Sequence, residues 1–174
     1  MNYGEIKYFD VANGPGIRTS LFVSGCTHHC KNCFNAKTWD FNYGEPFTDR
    51  QIDDIITSLM PEYVNGFTLL GGEPFEPVNQ KGILPLLRRI KKELPSKSIW
   101  IFTGYLFDRE IIGEMVGNIP ETEEILKLTD VIIDGRFVEE LKNLNLKFKG
   151  SSNQRTIDVQ KSLKTGNVEL VEGY

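Results

Sequence analysis

Leu21-Phe22-Val23-Ser24-Gly25-Cys26-Thr27-His28-His29-Cys30-Lys31-Asn32-Cys33 begins as a short apolar run and passes directly into a polar loop that holds every cysteine of the chain. The run Ser20 to Ser24 has the composition of a buried strand, and the glycine with its polar followers marks where that strand stops. The same arrangement recurs downstream. Phe67 to Leu70 runs into Gly71-Gly72-Glu73-Pro74, Ser98 to Phe102 into Thr103-Gly104, and Asp130 to Ile133 into Asp134-Gly135, with a weaker strand signal at Arg155 to Val159.

Helical patterns lie between these runs. Thr48-Asp49-Arg50-Gln51 reads as a capping box opening a helix with Ile52, Ile55, Ile56 and Leu59 on one face, and Pro61 stops it. Ile83, Leu87, Ile90 and Leu94 form a second stripe, closed by Pro95. Asp108 to Val116 and Glu121 to Leu128 supply two further helices or one broken one. Strands alternating with helices require parallel pairing through right-handed crossovers. The chemically unusual residues all fall at strand C-terminal ends, the edge where ligands bind in parallel α/β sheets and barrels. A closed eight-stranded barrel takes about 250 residues, so the expectation is an α/β fold built as a partial, laterally open parallel β/α barrel of about five to six strands. Residues 1–174 read as one domain, with 160–174 as a tail or an added hairpin.

The composition, 40% hydrophobic, 25% charged and 11% aromatic, is that of an ordinary globular protein. A net charge of -4 gives no electrostatic reason to expect nucleic acid as a partner. The basic run Arg88-Arg89-Ile90-Lys91-Lys92 falls on a helical pattern and reads as its solvated face. No stretch is long and apolar enough to suggest a membrane span, and Met1 to Ser20 lack a signal-peptide layout, so the expected location is the cytoplasm. Three clustered cysteines in a reducing compartment point to metal ligation over disulfides.

Cys26, Cys30 and Cys33 form a C-x3-C-x2-C run. Two metal readings are open. Three thiolates can hold three irons of a [4Fe-4S] cluster and leave the fourth exposed, or they can join His28 or His29 around a structural zinc ion in a non-catalytic interaction module. Spacing favours iron, because compact zinc sites usually draw ligands from a second cluster that this sequence lacks. Gly71-Gly72-Glu73-Pro74 is by itself a tight turn, although a strand end without side chains also admits a ligand to the backbone. Asn13-Gly14-Pro15-Gly16 reads as a turn into the first strand, and Gly150-Ser151-Ser152-Asn153-Gln154 as a surface turn. Asp134, if buried, demands a ligand or a neighbouring cation.

Taken together, the cysteine triplet and Gly71-Gly72-Glu73-Pro74 resemble the radical S-adenosylmethionine superfamily. More closely, Asn13-Gly14-Pro15-Gly16-Ile17-Arg18-Thr19, Trp100-Ile101-Phe102-Thr103-Gly104-Tyr105, Ile133-Asp134-Gly135-Arg136-Phe137 and Gly150 to Gln154 resemble the family of proteins that activate anaerobic ribonucleoside-triphosphate reductase. Asn32, where the superfamily often has an aromatic residue, fits that narrower family. The resemblance implies a [4Fe-4S] cluster on Cys26, Cys30 and Cys33, with S-adenosylmethionine chelating the fourth iron. It places Gly72 and Glu73 on the methionyl amine, the backbone of Asn32, Cys33 and Phe34 against adenine, and Thr103 and Asp134 on the cofactor or a nearby cation. It further implies an oxidoreductase that generates a glycyl radical on the reductase, its protein substrate, with a flavodoxin- or ferredoxin-type electron donor. Another glycyl-radical enzyme is the alternative substrate.

Overall fold

A computed structural model describes residues 1–174. Seven strands form one open sheet in the order β3-β1-β2-β4-β5-β6-β7. They are β1 (Asn2–Asp10), β2 (Ile17–Val23), β3 (Glu45–Pro46), β4 (Val64–Gly71), β5 (Ser98–Phe102), β6 (Val131–Asp134) and β7 (Arg155–Asp158). The expected parallel pairing holds in the middle, where β2, β4, β5 and β6 lie side by side. Both flanks depart from it. β1 pairs antiparallel with β2 and β3, and β7 pairs antiparallel with β6. The strand count is therefore seven where about five to six were expected, since β1 and β3 were not anticipated.

The reason lies in β1 itself. Asn2–Asp10 is an edge-side strand whose side chains are mostly exposed or half-buried, so it lacks the apolar run that marks a central strand. Between β6 and β7 the chain makes only loops and a short 3-10 turn, Glu139–Leu141, in place of a crossover helix. Without a crossover, the return strand must run antiparallel.

Helices α1 (Asp49–Leu59), α2 (Pro77–Glu93), α3 (Thr122–Leu128) and α4 (Val159–Thr165), with a π-helical segment at Phe107–Met115, connect the strands or extend them. The Gln51 side chain reaches back to the Thr48 N–H at 2.9 Å, the half of the capping box that orients the start of α1. Its Ile52, Ile55, Ile56 and Leu59 are buried, as the spacing predicts. Ile83, Leu87 and Ile90 of α2 are buried as well, and Leu94 packs against the same core. Each such side chain contributes about 1.5–3 kcal/mol by leaving water. The basic run on α2 does face solvent, where Arg88 pairs with Glu124, and Arg89 with Asp53 and Glu93.

Alternation along the strands separates two faces. Leu21, Phe67, Leu69, Ile99, Ile101, Ile132 and Ile157 point to the helical layer and form the main core. Their neighbours Phe22, Leu70 and Phe102 point the other way, into a cavity. Residues 160–174 continue α4, which Asp158 caps and Gly166 ends, and return to β7 through a bridge between Leu170 and Ile157. Tyr174 then stacks on Phe148, and both meet the edge of Trp100. No helix is long and apolar enough to cross a membrane.

Candidate iron-sulfur site at the strand ends

The cysteine loop starts where β2 stops. Gly25 N–H donates to Thr38 C=O at 2.7 Å and Cys26 N–H to Trp39 C=O at 3.2 Å, so the loop closes on the 3-10 turn Ala36–Trp39. Within it, Cys33 N–H donates to Cys30 C=O at 3.1 Å, and Asn32 stands at φ 56°, a left-handed conformation that asparagine tolerates. All three cysteines line a cavity of about 400 Å³, together with Phe34, Gly72, Glu73 and Thr103. Asn32 is exposed at the loop's outer side, and Asp134 is not in the cavity wall.

Burial pushes the Cys26 thiol up to about 11, against the pull of the His28 and His29 N–H groups. The Cys30 thiol is raised too, by burial first and by Cys33 second, against the Phe137 N–H and the Arg136 charge. Uncharged thiols in this setting release their protons when metal binds.

Glycines let the second loop approach the first. Gly72 N–H donates to Val23 C=O and Glu73 N–H to Gly25 C=O, at 2.7 and 2.8 Å. A Cβ on Gly72 would stand 2.6 Å from Gly25 O and 2.9 Å from Thr38 O, so the backbone of the cysteine loop itself excludes a side chain there. Gly72 is thus needed for the contact between two loops, whatever binds beside it.

Glu73 is fully buried and its carboxylate is answered four times. Oε1 accepts from Phe75 N–H and Thr103 Oγ1–H, and Oε2 from Gly104 N–H and His28 Nε2, all at 2.8 Å. Those four donors use the acceptor capacity of an ionised carboxylate. The cofactor contacts expected of Glu73 and Thr103 thus fall on two side chains already engaged with each other. Asp134, also fully buried, accepts from Arg155 through both oxygens and from Phe107 N–H. The cation that its burial demands is Arg155. Asp134 shares the Ile132 face of β6, so its carboxylate points toward the helical layer.

His28 bears on the zinc reading. Its Nδ1 accepts from Arg136 Nε at 3.0 Å, so the ring proton is on Nε2 and goes to Glu73. Both nitrogens are engaged. His29 is exposed, leans on Trp39 with ring centroids 4.7 Å apart, and is outside the cavity wall. No three His, Cys, Asp or Glu side chains are grouped to hold a single metal ion. Three thiols around a cavity whose other candidate donors, His28 and Glu73, are already hydrogen-bonded suit an iron-sulfur cluster better than a four-ligand zinc site.

Several supports escape a reading of the sequence. Asn79, fully buried in the first turn of α2, donates to Ser24 C=O and Glu73 C=O at 3.0 and 2.8 Å, tying helix, strand end and turn together. Glu76 accepts from Thr27 N–H at 3.0 Å. The Gly150 to Gln154 segment is more than a surface turn, because Gln154 donates to Gly135 C=O and Asn153 to Arg136 C=O, both at 2.9 Å. Arg18, buried beneath the Asn13 to Gly16 turn, donates to Thr68 Oγ1, Ser98 and Phe67 C=O; burial lowers its pKa to about 10, which leaves it charged at neutral pH. Only the sequence neighbourhood of Asn79 and Glu76, directly after Gly-Gly-Glu-Pro, could have drawn attention to them.

A family model described as a 4Fe-4S single cluster domain matches residues 12–157, a span that includes all three cysteines and all four rim loops. The anaerobic ribonucleoside-triphosphate reductase-activating protein of Escherichia coli (strain K12) is 42% identical over 156 residues, covering 88% of this chain and 96% of that protein. The proteins of the same name from Vibrio cholerae and from Enterobacteria phage T4 are 38% and 41% identical, over 88% and 89% of this chain and 96% and 92% of their own lengths. With the cysteine loop, the cavity and these relatives in agreement, the chain belongs to the family of anaerobic ribonucleoside-triphosphate reductase-activating proteins and carries its 4Fe-4S domain.

Proposed function

We propose that this chain is the oxidoreductase that installs a glycyl radical on its partner, anaerobic ribonucleoside-triphosphate reductase, by radical S-adenosylmethionine chemistry in the cytoplasm. The observation that carries the reading is three cysteines lining one cavity of about 400 Å³ at the strand ends, where His28 and Glu73 are already hydrogen-bonded to each other. When bound there, the cluster and S-adenosylmethionine supply one-electron cleavage of the sulfonium to methionine and a 5′-deoxyadenosyl radical, which takes hydrogen from a glycine Cα of the reductase.

The chain's own residues bind, orient and exclude water. Cys26, Cys30 and Cys33 would hold three irons. Gly72, pressed against the cysteine loop, leaves backbone where a methionyl group would lie, and the backbone of Asn32, Cys33 and Phe34 would face adenine. Glu73 and Thr103 support that surface from behind, and Asp134 acts through Arg155 at the fourth strand end. Phe22, Leu70 and Phe102 form an apolar wall that keeps water from a reactive radical. The open sheet reads as a laterally open partial barrel, whose missing side admits a loop of a protein substrate. A flavodoxin- or ferredoxin-type protein would supply the electron.

The test mixes the anaerobically reconstituted protein with purified reductase, S-adenosylmethionine and a reductant, and records electron paramagnetic resonance. A glycyl doublet on the reductase is expected. S-adenosylmethionine cleavage without that doublet would shift the substrate to another glycyl-radical enzyme, and no cleavage would refute the reading.

A further inference from the structure

One hydrogen-bonded chain joins all four strand-end loops. Glu110 accepts from Arg136 at 3.2 Å, Arg136 Nε donates to His28 Nδ1 at 3.0 Å, His28 Nε2 donates to Glu73 at 2.8 Å, and Glu73 holds Thr103 and Gly104. His28 belongs to the cysteine loop between Cys26 and Cys30, Glu73 to the loop after β4, Gly104 to that after β5 and Arg136 to that after β6. The His28 side chain is 5% exposed, and a Cβ on Gly104 would meet its ring at 2.4 Å. The imidazole is therefore held in place between Glu73, Gly104 and Arg136, and the Arg136 donor fixes its tautomer. The Arg136 loop is in turn pinned through its own carbonyls by Asn153 and Gln154.

We infer that Arg136 is a positioning residue for the cluster, which latches the cysteine loop through His28 and lends positive charge that makes the cluster easier to reduce. The inference rests on the reading of this cavity as the cluster site. Two features support it independently of the hydrogen bonds. Phe137, the next residue, lines the cavity beside Cys30, and its ring centroid is 5.6 Å from that of Phe34, so this loop forms part of the wall. Gly135, the preceding residue, lines the cavity as well, so Arg136 stands between two residues of the wall. Added electrons are stabilised by nearby positive charge and by hydrogen bonds to the ligating sulfurs, two of the levers that set cluster potentials. Arg136 is half-exposed, so screening limits the size of the effect but not its sign.

Charge and latch can be separated. Arg136→Gln removes the charge and keeps an N–H donor, Arg136→Lys keeps the charge and loses the guanidinium geometry, and Glu110→Gln removes the carboxylate that partly neutralises Arg136. Each reconstituted variant would be titrated with dithionite while the reduced-cluster signal is followed, and apoprotein melting would be recorded alongside. The midpoint potential should move negative in Arg136→Gln, stay near that of the parent in Arg136→Lys, and move positive in Glu110→Gln. A purely structural role predicts no such opposition of sign. Unchanged potentials in Arg136→Gln and Glu110→Gln, or shifts of the same sign in both, would overturn the inference. Should Arg136→Gln fail to load its cluster, the sign in Glu110→Gln decides alone. The potential is read without the reductase, so failure to activate that partner would count against the proposed function and leave this result standing.

Discussion

Two carboxylates sit fully buried at strand ends on either side of β5, and they are satisfied in opposite ways. Glu73, after β4, is held by two backbone N–H groups, a hydroxyl and an imidazole N–H, so the rim beside the cysteines keeps a carboxylate with no counter-charge in contact. Asp134, at the end of β6, is neutralised by Arg155, whose guanidinium also holds Asp108 at 2.7 Å. Neutral donors come from several loops and converge only if every loop is in place. An ion pair needs one partner. Glu73 thus organises the rim, whereas Asp134 anchors one strand to the helical layer.

The largest expected effect comes from Glu73→Gln. The amide must turn an NH2 toward groups that are all donors, leaving at least one buried donor unpaired and setting His28 loose. About 2–4 kcal/mol of apoprotein stability should be lost, measured by urea unfolding, with a matching drop in retained iron. Asp134→Asn should cost less, about 1–2 kcal/mol, because Arg155 is partly exposed and keeps Asp108. If Asp134→Asn proved the more costly of the two, the contrast between organiser and anchor would fail.

The smallest effect is a pH dependence at the anchor. The Arg155 hydrogen bond holds the Asp108 carboxyl below its ordinary range, against a smaller upward push from burial. A depressed carboxylate contributes stability that is present above its unfolded pKa, about 3.9, and is lost as pH falls through the folded value. Acidification below about pH 4 should therefore weaken the parent more than Asp108→Asn, by a few tenths of a kcal/mol at this partly exposed site, seen in urea midpoints across pH. Parallel slopes for the two proteins would remove Asp108 from the anchor.

Much of the central sheet was legible. Ser98 to Phe102 coincides with β5, and the other central strands were placed within a few residues, because buried parallel strands are continuous apolar runs that periodicity detects. The same rule explains the failure at β1, whose largely exposed Asn2–Asp10 carries no such run, and at β3, which is two residues long. The site divides in a similar manner. Cys26, Cys30 and Cys33 announced themselves through spacing. Asn79, Arg136 and the clamping role of Gln154 did not, since each acts on backbone or side chains distant in sequence.

What the sequence determined by itself was the candidate ligand set and its place: three cysteines and no more, in a loop at the end of a strand, with a glycine pair at the end of the next. Ligand count and strand-end position are local properties, readable from residue type and alternation. Only the tertiary structure decided what the polar residues around them do. The period of two turned Asp134 to the helical layer and left Ile133 on the opposite face. Convergence of four loops made Glu73 a saturated clamp, and the hydrogen bond from Arg136 assigned His28 its proton and left both of its ring nitrogens engaged. Such assignments depend on distances between residues up to 108 positions apart, and no local pattern encodes them.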